Sequence, residues 1–171
     1  MSVLSGGGEY LRLHREIVKN ARRVIGIDND IQALSRAPKC NDKCTHLYAD
    51  AQSFSFNRKF DVIVAGEIIE HLQNPDAFLK SAYNCLRKEG RLIITTPNAN
   101  NPFVSRNKVG HVRLYNPKEL VILLSKHSFK VKSVQYFEGE ARTFRGKVYE
   151  IFVHILPFLA IDFGVIAKRG D

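Results

Sequence analysis

The chain has 171 residues, of which 44% are hydrophobic and 25% charged, and its formal net charge is +9. That composition is ordinary for a globular chain, and the length suffices for one domain, 1–171, with a full core. A membrane span is excluded, because no apolar run reaches the roughly 20 residues it needs; the most apolar stretch, 151–166, is broken by His154, Pro157 and Asp162. The N-terminal apolar run stops at Leu4, so neither a signal nor a transit peptide is expected, and the expected location is cytoplasmic.

In chain order, residues 3–5 read as the end of a first strand, and Gly6, Gly7 and Gly8 as a turn. Residues 9–20 carry Tyr10, Leu13, Ile17 and Val18 on one helical face. Residues 23–28 form a short apolar strand ending in an acid, and 31–37 a short helix that Asp30 caps. Residues 38–43 are loop, and 44–49 a third strand leading to Asp50. Residues 60–65 are a fourth strand. A helix starts at Asn74 or Pro75, where proline is favourable, and runs to Leu86, with Gly90 as its stop. Residues 91–96 are a fifth strand. A long loop, 98–115, leads to a helix capped by Asn116 with Pro117 in its first turn. Residues 129–137 alternate as a strand, 147–159 read as helix and 163–168 as a last strand. Strands alternating with helices give an α/β sheet with helices on both faces, closed by two further strands.

The three cysteines do not make a disulfide framework. Cys40, Cys44 and His46 lack a fourth ligand and fit no zinc spacing, so they read as a solvated loop and no metal is expected. The charge is uneven: residues 98–147 hold ten Lys or Arg against three acids, Glu119, Glu138 and Glu140. Such a segment is either a solvated face or the site of an anionic partner, a small phosphorylated or carboxylated molecule or nucleic acid.

Ligands of parallel βαβ units sit beyond the carboxyl ends of the strands. Asp28 and Asp50 stand at two successive strand ends, where a carboxylate can accept the hydroxyls of a ribose or the amino protons of an adenine. Glu67, Glu70 and His71 follow the fourth strand, and Thr95, Thr96 and Asn98 end the fifth.

The phrases GEIIEHLQNPDAFL and LRKEGRLIITTPN closely resemble the fourth and fifth motifs of the class I S-adenosylmethionine-dependent methyltransferases. The run GHVRLYNPKELVILLSKHSFKVKSV is similar to a group of them that modifies quinones, sugars and lipids. The resemblance implies a Rossmann-like, seven-stranded, mostly parallel sheet with an antiparallel C-terminal strand. It implies S-adenosylmethionine as cofactor, with Asp28 and its neighbour Asn29 at the ribose, Asp50 and Ala51 at the adenine, and Gly66 and Glu67 at the methionine end. In the family's first motif a strand ends in an acid and three alternating glycines follow. Here Ser5 replaces the acid, Gly7 matches the first glycine, and Glu9 and Leu11 take the next two positions. That departure means a reshaped cofactor turn, a chain shortened at its N-terminus without the usual upstream helix, or a methyltransferase-like protein that has lost catalysis.

Methyl transfer to oxygen or nitrogen calls for a base. His111, His71 and Glu70 are the candidates at the strand ends. Arg106 and Arg113 share the His111 loop and suit a small or lipid-like, anionic acceptor. His14, His127 and His154 lie on helices and are assigned no chemistry.

Overall fold

The computed structural model describes residues 2–3, 8–37, 42–104, 110–137, 156 and 159–171. The expected helix over 147–159 and the loop over 139–146 fall almost wholly outside those residues, as do Gly6 and Gly7. Four helices are described: α1 (Gly8–Asn20), α2 (Ile31–Arg36), α3 (Pro75–Cys85) and α4 (Pro117–Lys126). The strands are β1 (Ser2–Val3), β2 (Val24–Asp28), β3 (Cys44–Tyr48), β4 (Phe60–Gly66), β5 (Leu86–Pro97), β6 (Phe129–Phe137) and β7 (Asp162–Arg169). No helix among them is long and apolar enough to cross a membrane.

The strand order is β3-β2-β1-β4-β5-β7-β6. β2 with β3 and β4 with β5 pair parallel, whereas β7 runs antiparallel to both β5 and β6. The α/β class and the antiparallel end are therefore as expected. The sheet consists of a two-strand block, β2-β3, and a four-strand block, β4-β5-β7-β6. Among the described residues only the two of β1 join them, and β1 meets β4 at the pair Ser2↔Val64. The order reverses between β1 and β4, and such a switch point is where sheets of this kind open a crevice.

Local chemistry explains the elements that flank this crevice. The Asn74 side chain accepts the Ala77 N–H at 3.0 Å and Pro75 fills the first turn, which starts α3. Phe78, Leu79, Ala82 and Cys85 then form its buried face; burying each large apolar side chain contributes about 1.5–3 kcal/mol. α4 begins with a reciprocal capping box between Asn116 and Glu119 and buries Leu120 and Leu124. On β5, Leu92, Ile94 and Thr96 point into the core with exposed or half-buried residues between them.

Two sequence expectations need correction. Gly90 does not stop α3: the helix ends at Cys85, the Leu86 N–H closes it onto the Ala82 carbonyl, and the chain passes straight into β5. Residues 87–90 instead bulge out of the β4–β5 ladder, between the pairs Phe60↔Leu86 and Val62↔Arg91. Glu89 takes the left-handed conformation there (φ +67°). Gly90 is small because a Cβ would lie 2.9 Å from the Arg87 carbonyl oxygen. The expected alternation of β6 also slips: at a register shift between Val131 and Ser133 the neighbouring Ser133 and Val134 are both half-buried.

Candidate functional site

The crevice is built around the turn after β4. Glu67 adopts φ +49°, an uncommon backbone state for a residue with a side chain, and its N–H donates to the Thr95 carbonyl at 3.0 Å. A single 3-10 turn, Ile69–His71, follows and buries Ile69 and Glu70. The Glu70 carboxylate accepts the Thr96 hydroxyl at 3.0 Å. Its backbone carbonyl accepts two N–H groups from the basic loop, Val112 at 2.8 Å and Arg113 at 3.1 Å. The turn after β4 and the loop before α4 are thereby laced together, and both histidine candidates meet at the seam.

His71 Nδ1 lies 2.8 Å from the Gly110 carbonyl oxygen. A carbonyl only accepts, so Nδ1 carries the proton and, in the neutral ring, Nε2 carries the lone pair. Nε2 faces the Glu70 carboxylate at 3.8 Å. The His71 and His111 rings meet edge to face, with centroids 4.9 Å apart. Gly110 makes this possible: its φ is +89°, and a Cβ there would stand 3.3 Å from His71 Nδ1. Glu70, His71 and His111 each offer a ligating atom, all within 4.8 Å of one another. That spacing could hold a divalent cation, which sequence reasoning did not expect.

Burial, reinforced by the charges of Glu70 and Asp162, pushes the Glu67 carboxyl up to about 8. Burial also raises Glu70, against the opposing hydrogen bonds from its own N–H and from Thr96. Three acids thus face one another at this seam, and Glu67 keeps its proton at neutral pH. Asp162 was legible only as an acid interrupting an apolar stretch, and its place at the site comes from the β5–β7 pairing, Pro97↔Asp162.

A cleft of about 350 Å³ opens beside the seam, lined among others by Asn100, His111, Arg113 and Glu119. The Arg113 guanidinium lies 5.0 Å above the ring of Tyr115. Tyr115 is fully buried, and its hydroxyl has no hydrogen-bond partner among the described residues. Asn98 serves the architecture: its amide donates to the Ala160 carbonyl at 3.1 Å and its N–H to Ile161 at 2.8 Å, tying the end of β5 to the approach to β7. Arg106 lies outside the described residues.

The expected cofactor residues lie at adjacent strand ends. Asp28 is 7% exposed; one carboxylate oxygen accepts the Asp30 N–H at 2.8 Å, and the other has no hydrogen-bond partner among the described residues. Burial pushes its carboxyl up. A buried acceptor short of a donor at a strand end fits ribose hydroxyls. The Ala49 N–H bonds the Asp28 carbonyl at 3.0 Å, linking the two strand ends. Asp50 uses one carboxylate oxygen to accept the Gln52 N–H at 2.8 Å, Ala51 is buried in the core, and Asn29 is exposed. Gly66 is buried at the end of β4, where a Cβ would meet the Leu13 side chain at 3.3 Å.

One group misjudged from sequence lies elsewhere. Cys44 is buried and disulfide-bonded, not part of a solvated loop, and His14 of α1 and His46 of β3 pack against it. Cys40 lies outside the described residues.

The protein is an α/β fold whose sheet order reverses between β1 and β4, with acids at two successive strand ends, a place where a ligand of such folds can sit. Comparison with known proteins agrees. Residues 3–134 match the family described as Methyltransferase domain. The chain is 33% identical over 97 residues to a ubiquinone biosynthesis O-methyltransferase of Pelagibacter ubique, covering 54% of this chain and 39% of that protein. It is 30% identical over 86 residues to a malonyl-[acyl-carrier protein] O-methyltransferase of Bacteroides helcogenes, covering 50% and 31%. Its fold is similar to a crystal structure of an S-adenosylmethionine-dependent methyltransferase from Mesorhizobium loti, with a TM-score of 0.72 at 15% identity, covering 98% of this chain and 89% of that one. The chain belongs to the methyltransferase domain family, whose cofactor is S-adenosylmethionine. It spans about two fifths of the length of the first of these relatives.

Proposed function

We propose that this chain transfers a methyl group from S-adenosylmethionine to an oxygen of a small, anionic acceptor. The observation that carries this reading is the seam itself: His71 and His111 in contact, backed by Glu70, at the mouth of a cleft that also presents Arg113. The cofactor supplies an activated sulfonium methyl that an oxygen nucleophile displaces in line, so the protein's task is alignment, desolvation and removal of one proton. Asp28 holds the ribose and Asp50 the adenine edge, at the switch point of a seven-strand sheet. Protonated Glu67 faces the methionine end without adding a negative charge. His111, on the cleft wall, takes the proton of the acceptor hydroxyl. His71, oriented by Gly110 and faced by Glu70, supports the positive charge that His111 gains. Arg113, stiffened on Tyr115, offers a fork to a carboxylate or phosphate of the acceptor. The names of the two curated relatives, both O-methyltransferases, and the net charge of +9 support an oxygen acceptor with negative charge.

The test is methyl transfer from labelled S-adenosylmethionine to a panel of phenolic, carboxylate and phosphate-bearing acceptors. The expected result is turnover with at least one anionic acceptor, lowered more in kcat than in cofactor affinity by His111→Ala. Tight cofactor binding with no transfer to any acceptor would favour a methyltransferase-like binding protein.

A second reading rests on the spacing of Glu70, His71 and His111. Those three residues would then hold a divalent cation, which lowers the pKa of a hydroxyl bound to it. Activity abolished by a chelator and restored by Mg²⁺ or Mn²⁺ would select that reading; activity indifferent to chelation would leave His111 as the base.

A further inference from the structure

A second cluster lies at the other edge of the sheet. β3 is the edge strand, and Cys44 and His46, two residues apart, project from the same face of it. α1 lays His14 against them. His14 and Cys44 are buried and His46 is half-buried.

The distances between the three donor atoms are specific. His14 Nε2 and His46 Nε2 are 3.2 Å apart, and Cys44 Sγ is 3.5 Å from the first and 3.7 Å from the second. A tetrahedral zinc with Zn–N of about 2.0–2.1 Å and Zn–S of about 2.3 Å sets N···N edges of about 3.3–3.4 Å and N···S edges of about 3.6 Å. The three atoms already outline one face of that tetrahedron. Burial lowers the pKa of both imidazoles, with the charge of His46 adding to the effect on His14, which favours the neutral form that metals bind. Mixed nitrogen and sulfur donors in this geometry suit zinc rather than magnesium or calcium.

Cys44 is disulfide-bonded, and a disulfide sulfur has no thiolate to give. We propose that reduction of this disulfide opens a zinc site made by His14 Nε2, Cys44 Sγ and His46 Nε2, with its fourth position closed by water. The steps balance. A dithiol passes two electrons and two protons to the disulfide and becomes a cyclic disulfide, and Cys44 returns as a thiol. Zinc then displaces one proton from Cys44 and none from the neutral imidazoles. The metal would clamp α1 onto the edge strand. This site shares no residue with the crevice and stands or falls independently of the proposed activity.

The test is spectroscopic and uses the full chain, reduced with dithiothreitol and desalted without oxygen. Titration with Co²⁺ is expected to give intense tetrahedral visible bands and a sulfur-to-cobalt charge-transfer band that saturate at one equivalent and vanish when Zn²⁺ is added. Binding is expected to release one proton, from Cys44, read with an indicator. The oxidised chain should bind at least 100-fold more weakly, and His46→Ala and His46→Asn should each weaken binding at least tenfold in the reduced form. The proposal is overturned if the reduced chain, shown by circular dichroism to be folded, gives no charge-transfer band. It is equally overturned if that band survives in both His46 variants, if the oxidised chain binds as well as the reduced one, or if a chain unfolded by reduction does not refold with Co²⁺.

Discussion

Among the described residues two pairs of imidazoles touch, in different company. His71 and His111 lie 4.9 Å apart at the carboxyl ends of the strands, faced by Glu70 and opening onto a cleft. His14 and His46 lie 5.0 Å apart at the edge strand, against a sulfur. The same side chains suit different chemistry because their neighbours differ. Carboxylates beside a cleft suit proton transfer or a hard cation, whereas a sulfur in a buried corner suits a structural, softer metal. The first pair is held by loop backbone, through Gly110 and the Glu70 carbonyl. The second is held by a helix lying against a strand.

The largest effect should separate the pairs functionally. His111→Ala is expected to lower turnover on the order of 100-fold, the usual contribution of a positioned base, while His46→Asn leaves turnover within about twofold at saturating cofactor. Steady-state rates with one accepted acceptor check this, and equal losses from both variants would dissolve the distinction.

The next effect is electrostatic. Glu67 has a folded-state pKa raised from 4.5 to about 8, so the folded chain holds a proton that the unfolded chain gives up earlier. The stability this contributes is present below about pH 4.5 and is lost as pH rises through 8. Urea unfolding in chelator-treated buffer should show that decline between pH 5 and 9, and Glu67→Gln should flatten it. A variant with the wild-type slope would mean that Glu67 ionises normally.

A smaller effect probes how the first pair is held. Gly110→Ala forces a side chain into a conformation with φ +89° and brings a Cβ to 3.3 Å from His71 Nδ1. It should cost about 1–2 kcal/mol of stability and lower kcat at unchanged affinity for S-adenosylmethionine. A thermal melt and steady-state kinetics would show whether both changes occur.

The contrast also explains what was legible in the sequence. Helix starts at Asn74-Pro75 and Asn116-Pro117 were readable because caps act over three residues. Glu70, His71 and His111 were nominated because they sit within motifs beside strand ends. The roles of Asp162 and His14 depend on β5 pairing with β7 and on α1 lying against β3, contacts between segments far apart in the chain. Cys40, Cys44 and His46 looked short of a ligand because His14 stands 30 residues before Cys44 in sequence. Gly90 looked like a helix stop because glycine often is one; here the constraint is a close backbone approach, which local sequence does not record.

The central claim is that the crevice at the strand ends binds S-adenosylmethionine through Asp28. Calorimetric titration of the purified chain with S-adenosylmethionine and S-adenosylhomocysteine tests it most directly. The account predicts one site with an affinity in the micromolar range, weakened on the order of 100-fold by Asp28→Ala as hydrogen bonds to the charged carboxylate are lost. A folded chain that takes up neither ligand, or an Asp28→Ala variant that binds as tightly as the parent, would contradict it.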